Sequence, residues 1–448
     1  MPNRFSTLLL LLIAAAPAPK RFIISDFGAV GDAKTVNTAA IQTEIDSISS
    51  SGGGTLVVPQ GTFLSGALFF KPGVDLEIEK DGILKGTVNQ ADYPLVQTRW
   101  EGVEGMHTSA FLNFDHLKGV AVSGEGMVDG SGDLWSPGGR GARRRGPATG
   151  PTTQQFARGR GGARGIGGPG TTRPGFNFQQ VGRPRLICFS NCDGVSISGL
   201  HLKNQAIWCL HLLYSHNVTV DGLDILATMY IPSSDGIDVD SSQDVLIKHC
   251  TINCYDDNIA IKSGKDDDGR RVNRPTENIT IEDCNIGIGA GIAMGSEVTG
   301  SIRHVLVQNC VFNGSDAAAR FKSQPSRGGE ITDIVYRNIT LKNVGRAVEA
   351  LMDWDMRLSR ADQTIKLTDL HDVRLMNFTG TARTAGVIHG LPAGPVRDLT
   401  FDNCVFTAGR GLQIDNAIHI DTSGLKLTVS QGPAIMNGPQ TRPINQGF

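Results

Sequence analysis

The sequence predicts an all-β chain wound as a parallel β-helix, with a helix capping its N-terminal end. Three observations carry that prediction: a repeated short segment, a second alternating segment that follows it in each copy, and a composition with 56 glycines and few aromatic residues, which suits turns and β-structure. The repeat reads GVSISGLHL, NVTVDGLDI, DVLIKHCTI, NITIEDCNI, HVLVQNCVF, DIVYRNITL, DVRLMNFTG and DLTFDNCVF, starting at residues 194, 217, 244, 278, 304, 333, 372 and 398. Spacings of about 23 to 39 residues suit the turns of a solenoid, in which each copy buries itself against its neighbours. Apolar residues alternate within each copy, as one-sided burial of a strand requires.

The second set reads GIDVDS, NIAIKSG, GIAMGSE, ARFKSQ and later GLQIDN. With Ile237, Val239, Ile259, Ile261, Ile292, Met294 and Phe321 inward, Asp238, Lys262, Arg320 and Lys322 fall outward. Stacked strands lie about 4.8 Å apart, so these outward groups form one polar face across successive turns.

From the N-terminus, Arg4, the apolar run Leu8 to Ala16 and the small residues Ala14, Ala16 and Ala18 read as an export signal over residues 1–18. The expectation is a secreted or periplasmic protein, since the run is too short to span a bilayer. Residues 20–448 then form one β-helical domain. Thr38 is expected to N-cap a helix whose Ile41, Ile45 and Ile48 share one face and which Gly52, Gly53 and Gly54 end. TLVVP, DLEIE and GVAVSGEGMVDG begin the stack that this helix caps. Between residues 136 and 175 lie eight arginines and no acidic residue among Gly, Pro and Thr. That segment cannot bury a core and reads as a disordered surface loop, or as a cationic flap for a polyanionic substrate.

Of the eight cysteines, Cys250, Cys284, Cys310 and Cys404 occupy one repeat position and are expected to stack as small buried hydrophobes. Disulfides, if the exported chain forms any, are confined to Cys188, Cys192, Cys209 and Cys254. Asn217, Asn278, Asn313, Asn338 and Asn377 begin Asn-x-Ser/Thr triplets and read chiefly as solenoid corners. The net charge of −2 identifies no partner and gives no reason to expect nucleic acid.

Acidic residues cluster in two neighbouring turns: Asp235, Asp238 and Asp240 in SSDGIDVDSS, then Asp256 and Asp257 in YDDNIAIKSG. Asp235 and Asp256 are 21 residues apart, about one turn, so they are expected side by side. Adjacent carboxylates raise one another's proton affinity, which keeps one protonated as an acid while others remain bases. Glycoside hydrolysis needs such a set, one carboxyl to protonate the leaving oxygen and another carboxylate to activate water or attack. Arg320 and Lys322, two turns on, are placed to hold a sugar carboxylate. Lys262 shares their face. Glu297 is a further candidate for substrate contact. Trp208, His211 and Trp354 read either as sugar contacts or as packing, and the loop from Lys265 to Asn278 either lines the cleft through Arg270, Arg271 or Arg274 or forms a solvated charged turn.

SDGIDVDSS, YDDNIAIKSG, GAGIAMGSE and ARFKS, in this order, resemble the polygalacturonase family, glycoside hydrolase family 28. FGAVGD, NTAAIQ, GGGTLVVPQGTFLSGAL, GMVDGSGDLW and the run from Arg183 to Leu223 extend the resemblance over nearly the whole chain. The resemblance implies a right-handed β-helix with a cleft along one face, an inverting mechanism, no cofactor or metal, a pectic substrate and a monomer. It makes Asp256 the general acid, and Asp235 and Asp257 the pair that activates water. Two positions depart from the family pattern: Ser233 stands where the family has Asn, and Ala290 where it has His. Loss of that His is similar to members that cleave rhamnogalacturonan, so the expected substrate leans to a rhamnose-bearing pectin or to exo-acting galacturonidase chemistry. A pectate-lyase-type lyase and an inactive or sugar-binding solenoid are the competing readings.

Overall fold

The computed structural model describes residues 20–135, 182–354 and 364–443. The expected export signal and the Gly/Arg-rich segment therefore lie outside the described residues. Thirty-four strands join in one parallel sheet, coiled in the right-handed sense that parallel crossovers take.

Each central turn contributes three strands, as in His216–Asp221, Asp224–Leu226 and Ile237–Asp240. The repeated segment, read above as one strand, is thus two: the chain bends between them at Gly222, whose φ of +67° favours glycine. Successive turns stack in register. Val218 faces Val245 and Val220 faces Ile247, while Ile237, Ile259, Ile292 and Ala319 form one inward column beside Val239, Ile261, Met294 and Phe321. All eight of these side chains are buried, as the alternation demands. Each large one contributes about 1.5–3 kcal/mol by leaving water.

All eight cysteines are buried free thiols. The register extends the Thr251–Asn285–Val311 pairing to a column through Cys250, Cys284 and Cys310, as expected. Cys404 lies further along the same column, past Ile339 and Phe378, and the remaining four are not bridged either: Cys188 faces His211 across one rung, whereas Cys192, Cys209 and Cys254 belong to other columns. Corners fall where the asparagines predict. Asn217, Asn278, Asn338 and Asn377 all have φ between 53° and 59°. Their amides run up the stack, Asn338 donating to Asn309, Asn377 to Asn338 and Asn403 to Asn377 at 2.8–2.9 Å. Asn313 instead ends a strand, Val311–Asn313.

The cap is a helix over Thr38–Ser50 that buries Ile41, Ile45 and Ile48. Its N-cap is Asn37 and not Thr38. The Asn37 amide is drawn instead to the carbonyls of Val30, Thr35 and Leu64, and the Thr38 hydroxyl accepts from the Gly66 amide at 2.7 Å. One element escaped the sequence reading. Leu95–Trp100 and Val103–Thr108 pair as an antiparallel hairpin outside the main sheet, with Glu101 and Gly102 both at positive φ, as a two-residue hairpin turn requires.

Candidate active site

The strands Ile237–Asp240, Ile259–Lys262, Ile292–Gly295 and Ala317–Lys322 form the floor of the candidate site. Asp235 and Asp257 each precede a floor strand by two residues, and Gly236 N donates to Asp257 O at 2.9 Å, so the two carboxylates enter from one edge on adjacent rungs. One oxygen from each of Asp235, Asp256 and Asp257 lies within 4.8 Å of the others. Asp235 and Asp257 are buried and Asp256 is half-buried, which makes Asp256 the one open to a bound molecule.

Burial raises the pKa of Asp256, and the neighbouring Asp257 charge raises it further. Burial, then the charges of Asp238 and Asp256, hold Asp235 well above the ordinary carboxylate value. Asp257 is charge-paired: its Oδ2 accepts from Lys322 Nζ at 2.6 Å and its Oδ1 lies 4.0 Å from Arg320 Nη1. Ammonium groups thus already stand at the carboxylates, Lys322 at Asp257 and Lys262 3.5 Å from Asp235. This donor set suits proton transfer and not a divalent cation, which would meet like charge.

Arg320 and Lys322 do reach the site, but their partners differ from the expectation. Arg320 is 4% exposed, and its Nε donates to Glu349, its Nη2 to Asp316 and its Nη1 to Ala290 O. Three of the five guanidinium N–H donors are used in this way, so Arg320 ties the floor together. Trp354 lies over both cations, 5.4 Å from Arg320 Cζ and 5.5 Å from Lys322 Nζ. Lys262 Nζ sits 3.7 Å above the Trp208 ring, 3.0 Å from Asp238 and 3.9 Å from Glu297. Burial pushes the Asp238 carboxyl up to about 7 even with Lys262 beside it. Burial alone would lower the Lys262 pKa, yet Asp238, Glu297 and Asp235 together carry it well above its ordinary value.

The hairpin packs on the floor at Asp240, Ser241 and Trp208. Arg99 Nη1 donates to Asp240 and Ser241, both at 2.8 Å, and Trp100 packs on Trp208 with ring centroids 4.3 Å apart. Burial would raise the Asp240 pKa, but Arg99 and His211 outweigh it and hold the carboxylate below the usual range. His211 is wholly enclosed: Arg185 donates to its Nδ1 at 2.6 Å, Asp240 lies 3.6 Å from Nε2, and Trp208 meets it edge-on. Burial lowers its pKa to about 4. Of the two readings that the sequence left open, sugar contact or packing, the burial of His211 and of the 2% exposed Trp208 favours packing beneath the site. The Lys265–Asn278 loop holds the hairpin: its helix Asp266–Val272 accepts Glu104 N on Asp268, and Arg271 pairs with Glu104 at 2.6 Å.

The two departures from the family pattern sit beside the acids. Ala290 N donates to Asp256 O at 2.7 Å, so the wall at this point is bare backbone. Ser233 adopts φ 56°, and the next residue, Ser234, accepts from Tyr255 N at 3.3 Å, tying the Asp235 loop to the Asp256 loop. Sequence reasoning passed over Arg99, Trp100, Arg185, Asp316 and Glu349. The hairpin did carry a signal, two β-rich runs on either side of a two-residue Glu-Gly turn.

With this geometry in view, comparisons with known proteins agree on one family. The family model described as glycosyl hydrolases family 28 matches residues 158–423, more than half of the chain. A probable polygalacturonase from Vitis vinifera is 28% identical over 84% of this chain and 72% of that protein. An exo-poly-alpha-D-galacturonosidase from Dickeya chrysanthemi is 27% identical over 73% of this chain and 56% of its own length. Among solved structures, a hyperthermoactive exopolygalacturonase from Thermotoga maritima superposes with TM-score 0.72 at 27% identity, covering 96% of this chain and 94% of that one. The chain belongs to glycoside hydrolase family 28 and is a glycosidase.

Proposed function

We propose that this glycosidase hydrolyses galacturonate-containing pectic polysaccharide, with Asp256 as general acid and with Asp235 and Asp257 activating the attacking water. The observation that carries this reading is the set of three carboxylates within 4.8 Å, of which Asp256, with a raised pKa, is the least buried. A carboxyl facing the cleft donates to the departing glycosidic oxygen, and behind it Asp257, ion-paired with Lys322, accepts the proton of a water that Asp235 helps to orient. Turnover lost in Asp256→Asn, on substrates where the unaltered enzyme releases saturated reducing ends, supports the assignment; turnover that survives the change refutes it. Membership of a hydrolase family sets the lyase and the inactive solenoid aside.

The stereochemistry is inferred from the family and not from the spacing of the trio. The family resemblance implies inversion, with Asp235 and Asp257, on neighbouring rungs, sharing one water. Proton NMR of the first-formed product tests it, because a retained anomer would make Asp235 or Asp257 a nucleophile.

The hairpin supports exo action. Arg99 bonds Asp240, and Trp100 packs on Trp208, which lies against Lys262, so the hairpin covers the floor near the acids, an arrangement that would stop a polymer from running on in that direction. Release of short products with slow loss of polymer viscosity is the expected pattern. The bare Ala290 wall favours a second reading, a rhamnose-bearing backbone, which parallel assays on polygalacturonate and rhamnogalacturonan separate. Export through residues 1–18 and action as a monomer complete the proposal; N-terminal sequencing and sedimentation of the recovered protein test them. No helix among the described residues is long and apolar enough to cross a membrane.

A further inference from the structure

The chain has five tyrosines, and they divide sharply. Tyr93, Tyr214 and Tyr336 are buried, and their hydroxyls donate to Thr87 O, Glu104 and Ile292 O. Tyr230 and Tyr255 are 65% and 39% exposed. These two outward rings are not scattered. They meet edge to face, with centroids 6.1 Å apart and planes at 77°.

Their place in the fold is the wall of the acid site. Each turn enters the floor through a loop, and Tyr230 lies in the loop that delivers Asp235, Tyr255 in the next loop, immediately before Asp256. Tyr255 N is bonded to Ser234 of the neighbouring loop, so the two loops that carry the rings are held together. On the following turn Cys254 N donates to Ile288 O, and the Ile288 side chain is 43% exposed. Ala290 completes this wall with no more than a methyl group. The wall beside Asp256 is therefore aromatic and aliphatic, while the floor beneath it is ionic. Leaving two large rings in water forgoes their burial on folding, which a bound apolar face would recover.

We propose that Tyr230 and Tyr255 form a stacking subsite for a pyranose ring flanking the scissile bond, which takes the sugar's C–H face against one ring and its edge against the other. This inference rests on the assignment of Asp256 as the general acid, since that places the glycosidic oxygen beside the pair. The subsite recognises the carbon face of the ring and not its charge. A galacturonate unit, its methyl ester and a neutral hexose all present such a face. The ionic floor, whose cations are already paired with Asp257, Asp238, Asp316 and Glu349, contributes position and proton transfer.

The test uses the full-length enzyme with Tyr230→Ala, Tyr255→Ala and the two Phe replacements, each also combined with Asp256→Asn. Calorimetry on the Asp256→Asn forms measures the Kd of a linear galacturonate oligosaccharide and of its methyl ester, at low and high salt. Steady-state kinetics on the active forms gives KM and kcat. Each Ala change is expected to weaken binding and raise KM on the order of tenfold, with a smaller change in kcat. Phe should restore most of the loss, and the loss should be equal for acid and ester and unchanged by salt. Unaltered Kd in both Ala variants, a loss that disappears at high salt, a Phe variant as weak as Ala, or no oligosaccharide binding at all overturns the subsite. If Asp256→Asn still turns over substrate, the acid assignment fails, while the Kd values continue to report on the tyrosines.

Discussion

Two outer faces of the same solenoid carry charges with the same periodicity, yet they behave as different materials. On the strands Asp193–Ser198, His216–Asp221 and Gln243–Lys248, burial alternates and the outward groups meet water. Ion pairs of this sheet, such as Lys248 with Asp221 and, further along it, His304 with Asp333, are partly exposed on both sides. On the floor strands Leu210–Leu213, Ile237–Asp240, Ile259–Lys262 and Ile292–Gly295, every residue is buried, the outward ones included. Alternation is present in both sets, but the floor has the hairpin and its neighbouring loops over it. A charge in the first face is solvated and contributes little, whereas a charge in the second must be matched or must keep its proton. The difference teaches that a repeat supplies the columns of a site and that what covers a column determines its chemistry.

The sharpest way to break the comparison is at the acid. Asp256→Asn keeps the shape of the floor and removes the proposed donor, so kcat is expected to fall by about 10²–10⁴-fold with the melting temperature nearly unchanged. Next in size is the buried pair. Arg99→Met leaves Asp240 charged and enclosed, which should cost about 3–5 kcal/mol in chemical denaturation. Two buried carboxyls of one floor strand, Asp238 and Asp240, predict a pH dependence. Asp238 has a raised pKa of about 7, so between its ordinary value of 3.8 and that point the native state holds a proton the unfolded chain lacks, and stability falls as pH rises. Asp240 is depressed, so its contribution is full above 3.8 and is lost as pH falls below it. Urea midpoints should therefore peak in mildly acidic solution, and Asp238→Asn should flatten the slope on the neutral side while leaving the acid side. Shifting the cover should act on products more than on stability: Trp100→Ala removes the ring packed on Trp208, and longer products are expected to appear among the released oligosaccharides. The smallest effect belongs to the solvated face. His304→Asn breaks an exposed pair with Asp333 and should change unfolding free energy by less than about 1 kcal/mol.

Much of this was legible from residue order. The columns Ile237–Ile259–Ile292 and Val239–Ile261–Met294 follow from period-two alternation combined with turn spacing, both of which are local. The approach of Asp235 to Asp256 and Asp257 follows from a separation of one turn. Partnerships between distant segments did not follow. Arg99 and Asp240 are 141 residues apart, and Lys322 reaches Asp257 across 65. Nothing periodic links either pair, so Lys322 and Arg320 read as open hands for a substrate when they already hold Asp257, Asp316 and Glu349.

By itself, then, the sequence determined a capped parallel stack, the inward and outward side of each strand, and three acids brought to one edge, because each of these depends only on spacing along the chain. Tertiary structure alone decided which outward charges are covered, which of the three carboxyls is least buried, and where the hairpin packs on the floor. Those properties depend on solvent exclusion and on charges brought in from remote turns, and free energies of that kind belong to the packed assembly and to no single segment.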